Sequence, residues 1–249
     1  MIRVNRPPIT QHLTAPNRTQ LGLKHTETNG FTQSDARIEP VWNNFRRTNA
    51  GRAVLVALQT VFRFKCAFCE RVNAKAVDHF YPKERYPKRM FKWNNFLLCC
   101  AECNQAKGSF FPVRKDQRLL DPTHEEPLDY FTWDFRTGAM VEVTNAARAR
   151  RASTTRERLK LDEGPLRDER RVQFNRVLKL LADVCNEHPN IRLETRQRLE
   201  EELHPNRPYL GIIRFLFRKP NIYRPIVDDA RAKLPDIDTW IAAWPRPQQ

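Results

Sequence analysis

Two Cys-x-x-Cys pairs, Cys66/Cys69 and Cys100/Cys103, constrain this chain more than any other feature. The two-residue gap lets both sulfurs of a knuckle face one ion, and four thiolates close a tetrahedral zinc shell. Where thiols stay reduced, spaced pairs of this kind favour metal over disulfide. A structural zinc at these four cysteines would hold the intervening segment folded. The two remaining cysteines read as small core hydrophobes. Cys99 alternates with Cys100 on a strand, and Cys185 lies on the apolar side of a helix.

Inside the clamp the chain carries Val77-Asp78-His79-Phe80-Tyr81-Pro82-Lys83, and Asn104 directly follows the last cysteine. Aspartate is a hard oxygen ligand suited to Mg²⁺. Histidine is suited to take a proton from water near neutral pH. Adjacent residues on a strand point to opposite faces, so Asp78 and His79 reach one ion only at a bend, which Pro82 can supply. Asn104 reads either as an amide ligand or as a helix cap. Asn95, between Trp93 and an apolar run, reads as a loop brace or an ordinary turn residue, with Trp93 and Phe96 in the core. Glu70 reads either as support for the site or as a group facing nucleic acid. His124, His188 and His204 lie in polar, proline-flanked stretches and read as surface residues.

The 249-residue chain has a formal net charge of +15. Residues 1–115 hold 20 basic and 7 acidic side chains, residues 116–249 hold 24 and 22. The excess therefore sits with the motif, which favours a polyphosphate partner. Lys83, Arg85, Lys88, Arg89, Lys92 and Lys107 form a basic stretch beside the Asp-His pair and are expected to hold flanking phosphates, contacts that carry little sequence information. No apolar run approaches a membrane span and the stretch Met1-Ile-Arg-Val-Asn-Arg-Pro-Pro lacks a signal-peptide core, so the expected location is cytoplasmic.

The pattern of elements predicts an α+β fold. Residues 1–45, rich in Pro, Thr, Asn and Arg, read as a mostly irregular arm. Val54, Leu55, Leu58, Val61 and Phe62 predict a helix within 45–64. Strands are expected over 77–80 and 96–99, then a short helix over 101–107 stopped by Gly108. Residues 131–143 predict a hairpin around Gly138. Beyond 145 the chain reads as helical, with a capping box at Thr154 and Glu157 and helices over 165–187, 191–203, 209–218 and 236–244. Pro-Asn and Arg-Pro pairs between them read as turns. The division is thus an arm (1–45), a motif-bearing module with its preceding helix (46–115), and a hairpin plus helical region (116–249) that offers docking for a protein partner.

The motif resembles the HNH (ββα-metal) endonucleases of the four-cysteine type, with His79, Asn95 and Asn104 in an H-N-N variant whose final residue is Asn. The resemblance implies that His79 is the general base, that Asp78 and Asn104 bind a catalytic Mg²⁺ or Mn²⁺, and that Asn95 supports the loop. A narrower resemblance, to the HNH proteins of retron and Septu-type anti-phage systems, extends through Cys-Asn104-Gln-Ala-Lys-Gly, Phe111-Pro112, Leu-Leu-Asp121-Pro122, the Gly138 hairpin and the stretch from Pro208. It implies a DNA-cutting effector that works with an ATPase of the ABC/SMC-like type. Two other readings stand beside it: a non-catalytic zinc module that binds nucleic acid or protein, and a stand-alone homing or restriction-type nuclease. RNA is an alternative target to DNA.

Overall fold

The computed structural model describes residues 1–72 and 74–244. Its architecture is α+β, mostly helical, with two small antiparallel sheets. The expected irregular arm is instead helical: α1 spans Ala15–Thr28 and α2 spans Ile38–Phe45. Helix α1 escaped sequence reading because it buries only Leu21 and Thr28, too few positions to make a stripe. Helix α2 places Ile38, Trp42 and Phe45 on one buried face, at the i, i+4, i+7 spacing that an amphipathic helix requires.

Helix α3, Asn49–Val61, begins where Thr48 accepts a hydrogen bond from the Gly51 amide at 3.1 Å, which satisfies one of the orphan donors of the first turn. It packs on α1 and on strand β2 (Phe96–Cys99), which pairs antiparallel with β1 (Ala76–His79). The register sets His79 opposite Phe96 and Asp78 opposite Leu97. Helix α4, Ala101–Lys107, follows β2 directly and ends at Gly108, whose φ of 49° suits a residue without Cβ. Strand–strand–helix is therefore the unit that carries the cysteine clamp and the Asp-His pair.

Strands β3 (Phe131–Asp134) and β4 (Ala139–Glu142) form the expected hairpin. Its turn requires glycine twice over. Gly138 has a φ of 73°, and a Cβ there would lie 2.1 Å from the Arg167 carbonyl oxygen. The buried Arg170 guanidinium donates to the Gly138 carbonyl at 2.6 Å and to the Leu161 carbonyl at 2.8 Å, locking the turn onto the helix behind it. Gly138→Ala should destabilise the protein by at least about 1–3 kcal/mol from backbone strain alone, read as a lower urea midpoint.

The helical region runs through α5 (Ala146–Arg158), α6 (Leu166–Glu187), α7 (Leu193–Leu203), α8 (Leu210–Arg218), α9 (Arg224–Lys233) and α10 (Asp236–Ala242). Two expectations are corrected here. Thr154 and Glu157 lie inside α5, whose cap is Asn145, accepting from the Arg148 amide at 3.1 Å. Of the Arg-Pro pairs read as breaks, Arg207-Pro208 lies in the turn before α8, whereas Arg224-Pro225 opens α9, because proline in the first turn loses no hydrogen bond. Every residue of α8 from Leu210 to Phe217 is buried, so it forms the centre of this region. Its one cation inside the core, Arg214, makes a two-pronged pair with Glu126 at 3.1 and 2.8 Å.

The three sequence segments share one hydrophobic core that runs from Met1 to Trp244. Polar ties reinforce it. Glu70, left open by the sequence, is buried, accepting from the Met1 ammonium and, at 3.2 Å, from the Gly211 amide at the start of α8. Lys65 donates to the carbonyls of Pro205 and Arg207 at 2.7 and 3.1 Å, and burial pushes its ammonium down to about 8. The cysteine clamp is thereby anchored to the C-terminal helices.

Candidate metal centre and polar cavity

Cys66, Cys69, Cys100 and Cys103 bring four sulfurs within 4.8 Å of one another. Ideal tetrahedral zinc–thiolate geometry, with bonds of about 2.3 Å, requires neighbouring sulfurs just under about 4 Å apart. Cys69 and Cys100 are 3.7 Å apart. The Cys103 amide donates to the Cys100 sulfur at 3.5 Å, so the second knuckle doubles as the cap of α4. The cluster fits a zinc site by donor type, number and spacing. Cys99 is fully buried behind it, 3.7 Å from the Cys66 sulfur. Cys185 is half-buried on α6, with its sulfur on the Ile226 carbonyl.

Next to the clamp lies a cavity of about 710 Å³. Asp78, His79 and Asn104 all line it. Asp78 stands near the end of β1 and is 6% exposed. Its Oδ1 accepts from the His79 amide at 2.7 Å and from Lys107 Nζ at 3.0 Å. Its Oδ2 is buried and, among the described residues, has no hydrogen-bond partner. Burial pushes this carboxyl above its ordinary range, and Lys107 opposes that shift. A buried carboxylate oxygen without a donor is costly unless a cation or water meets it. With the Asn104 amide on the same cavity, the pair offers two oxygen ligands, which is within the habit of Mg²⁺, an ion that keeps several waters and binds few protein groups.

His79 is 5% exposed. Its Nε2 lies 2.9 Å from the Met90 carbonyl oxygen, which can only accept, so the ring proton sits on Nε2 and Nδ1 carries the lone pair. Trp42 of α2 meets the ring edge-on at 4.5 Å, and Phe96 does so at 5.4 Å. Burial, together with the positive charges of Lys83 and Lys107, lowers the imidazole to about 3, so the ring is neutral.

Asn95 stands apart from that cavity. Its Oδ1 accepts from the Tyr81 amide at 2.7 Å, and its Nδ2 donates to the carbonyls of Tyr81 and Arg89, both at 3.0 Å. The side chain ties the two ends of the loop that follows His79. Asn95→Ala would leave these backbone groups unpaired, at about 1–3 kcal/mol for each buried group, so a marked drop in melting temperature is expected.

The basic stretch does not form one surface. Lys107 is 1% exposed, its ammonium held by Asp78 and by the His79 carbonyl at 2.6 Å, so it is no outward phosphate contact. It turns inward because Asp78 would otherwise be a buried anion without a counter-charge. Lys83 lines the cavity but pairs with Glu39 at 2.9 Å and with Glu84. Arg85 donates to the Phe111 carbonyl. Lys88 is exposed, while Arg89 and Lys92 line a second cavity.

Sequence reasoning missed what the N-terminal helices bring. Trp42, Arg46, Arg47 and Glu39 line the first cavity, with Lys75 on its rim. The spacing of Ile38, Trp42 and Phe45 signals a buried helix face, but no local pattern says which cavity that face covers.

No protein-family model matches the chain. Among curated proteins it is similar to the Septu protein PtuB of Bacillus thuringiensis, 32% identical over 82 residues. The match covers 31% of this chain and 31% of that protein, under a third of either. Among the described residues no helix is long and apolar enough to cross a membrane.

Proposed function

We propose that this chain is a metal-dependent endonuclease of the four-cysteine HNH kind, cutting DNA phosphodiester bonds with low sequence specificity. The observation that carries the reading is the Asp78 carboxylate. One oxygen is fixed by two donors and the other is buried with none among the described residues, on the cavity that also holds His79 and Asn104. A non-catalytic zinc module has no need of that arrangement.

In this reading Asp78 Oδ2 and the Asn104 amide hold Mg²⁺ or Mn²⁺. When bound there, the ion would supply Lewis acidity to the phosphodiester being cut. His79 Nδ1 accepts a proton from a water whose oxygen attacks phosphorus. The bond from phosphorus to the 3′-oxygen breaks, and that oxygen takes a proton from solvent. The Nε2–H bond to Met90 keeps the ring in the tautomer this transfer requires. Burial is the main cause of the lowered imidazole, and a phosphodiester in the cavity would offset only the part that comes from the lysine charges. Arg46 and Arg47 on the cavity wall hold neighbouring phosphates. One His-metal centre cuts one strand per encounter.

Likeness to the Septu protein PtuB supports an anti-phage setting, and residues 116–249, near charge balance, supply a surface for an ABC/SMC-like ATPase partner. Asp78→Asn and Asn104→Ala, each still holding zinc, should bind Mn²⁺ at least about tenfold more weakly in calorimetry and lose cleavage. Unchanged Mn²⁺ affinity in both variants contradicts the assigned ion site. If wild type binds no Mn²⁺ with or without DNA, the protein is a zinc module that binds without cutting.

A further inference from the structure

A second cavity, of about 440 Å³, lies on the other side of the segment that carries His79. The residues of that segment divide between the two cavities. His79, Pro82 and Lys83 line the first cavity, Phe80 and Tyr81 the second. The loop from Lys83 to Lys92 runs from one to the other, with Lys88 exposed between.

The walls of the second cavity come from three parts of the chain. Arg89, Lys92 and Asn94 belong to the loop before β2, Lys115 and Arg118 to the turn after α4, and Arg151 to α5. Its two carboxylates are already engaged. Asp121 accepts from the Thr123 amide and hydroxyl at 2.9 and 2.7 Å and faces His124 Nδ1 at 3.0 Å. Glu125 accepts from the Tyr130 hydroxyl at 2.7 Å and from Arg151. The cations divide into two kinds. Arg118 is fixed, with its guanidinium on the Phe111 ring at 4.6 Å and donating to the Pro112 and Val113 carbonyls. Among the described residues Arg89, Lys92 and Lys115 have no carboxylate partner, and the Arg89 guanidinium lies over the Tyr81 ring at 4.0 Å. His124, tied to Asp121 through Nδ1, has its imidazole raised above the ordinary range by that carboxylate. Free positive charge on a concave wall, with the acids neutralised internally, is a phosphate site by its chemistry.

We propose that this cavity is a phosphate-binding site in which Arg89, Lys92 and Lys115 hold the nucleic-acid backbone beyond the stretch seated in the first cavity. This rests on the nuclease reading above. The site extends the footprint past the point of cleavage and carries no base readout, since its free groups are point charges and a guanidinium that already lies over a tyrosine ring. The phosphate-bearing occupant is a polynucleotide rather than a free nucleotide, because the loop joins the site to the first cavity.

The test uses the full chain with His79→Ala, so that substrate survives, and a fluorescein-labelled 24-base-pair duplex read by anisotropy from 50 to 200 mM salt. Arg89→Gln/Lys92→Gln/Lys115→Gln together should weaken binding at least tenfold at low salt. The slope of log affinity against log salt should fall by about 2–3, at roughly 0.9 per phosphate contact. Arg46→Gln/Arg47→Gln is the comparison for the first cavity. If that pair weakens binding and the triple variant leaves affinity and slope unchanged, the second site is refuted and the nuclease reading stands. If the parent protein does not bind the duplex at any salt, both fall together. If ATP binds and the triple variant abolishes that binding while duplex affinity is untouched, the cavity takes a free nucleotide and the proposal is overturned.

Discussion

Cys100→Ser should strip zinc from the protein and abolish its cooperative thermal transition. Cys100 supplies one of four clustered sulfurs and also caps α4 by accepting from the Cys103 amide. The first knuckle's own backbone bonds are few, among them Glu70 N–H to the Cys66 carbonyl at 3.1 Å. Its backbone relies on Cys66 N–H to the Arg71 carbonyl at 2.8 Å and Ala67 N–H to the Leu98 carbonyl at 2.8 Å. Apparent free energies of structural zinc binding in zinc-finger peptides are about 10–16 kcal/mol, as large as the whole stability of an ordinary domain. The damage also spreads, because Glu70 of this knuckle carries the Met1 ammonium and the first turn of α8. Zinc content by atomic absorption and a circular-dichroism melt, beside Cys185→Ser as the neutral comparison, read the effect. A Cys100→Ser protein that keeps zinc and melts with wild type rules out the clamp.

His79→Ala should lower DNA cleavage by about 10²–10⁴-fold, the range that a positioned general base contributes. The protein should keep its zinc, since no cysteine sulfur depends on the imidazole. Stability falls modestly, because Trp42 and Phe96 lose an aromatic neighbour and the Met90 carbonyl loses its donor. Mn²⁺ affinity should be close to that of wild type, which separates this variant from Asp78→Asn. A His79→Ala protein that cuts at the wild-type rate removes His79 from the chemistry.

The strand, strand and helix of the clamp, residues 76–79, 96–99 and 101–107, were legible because three local signals agree there: apolar runs, cysteine spacing and a glycine stop. The hairpin was legible from alternation and Gly138. Around the first cavity, Asp78, His79 and Asn104 were legible as a group because the motif places them near one clamp. What failed were features decided at long range. Helix α1 has a nearly featureless apolar pattern and is held by packing on α3. Lys107 looks like any surface lysine in sequence, and only the buried Asp78 turns it inward. Trp42 and Glu39 reach His79 and Lys83 from some forty residues away in the chain. Glu70 beside a cysteine suggested chemistry, whereas its carboxylate joins the N-terminus to α8.

The central claim is that His79 and its neighbours cut DNA. Supercoiled plasmid incubated with zinc-loaded wild type and Mg²⁺ or Mn²⁺, and with the proposed ABC/SMC-like ATPase partner where the protein alone is silent, tests this beside His79→Ala. Nicked and then linear plasmid is expected with wild type, and intact plasmid with the variant. Intact plasmid with wild type under both conditions, or equal cutting by the two proteins, contradicts it.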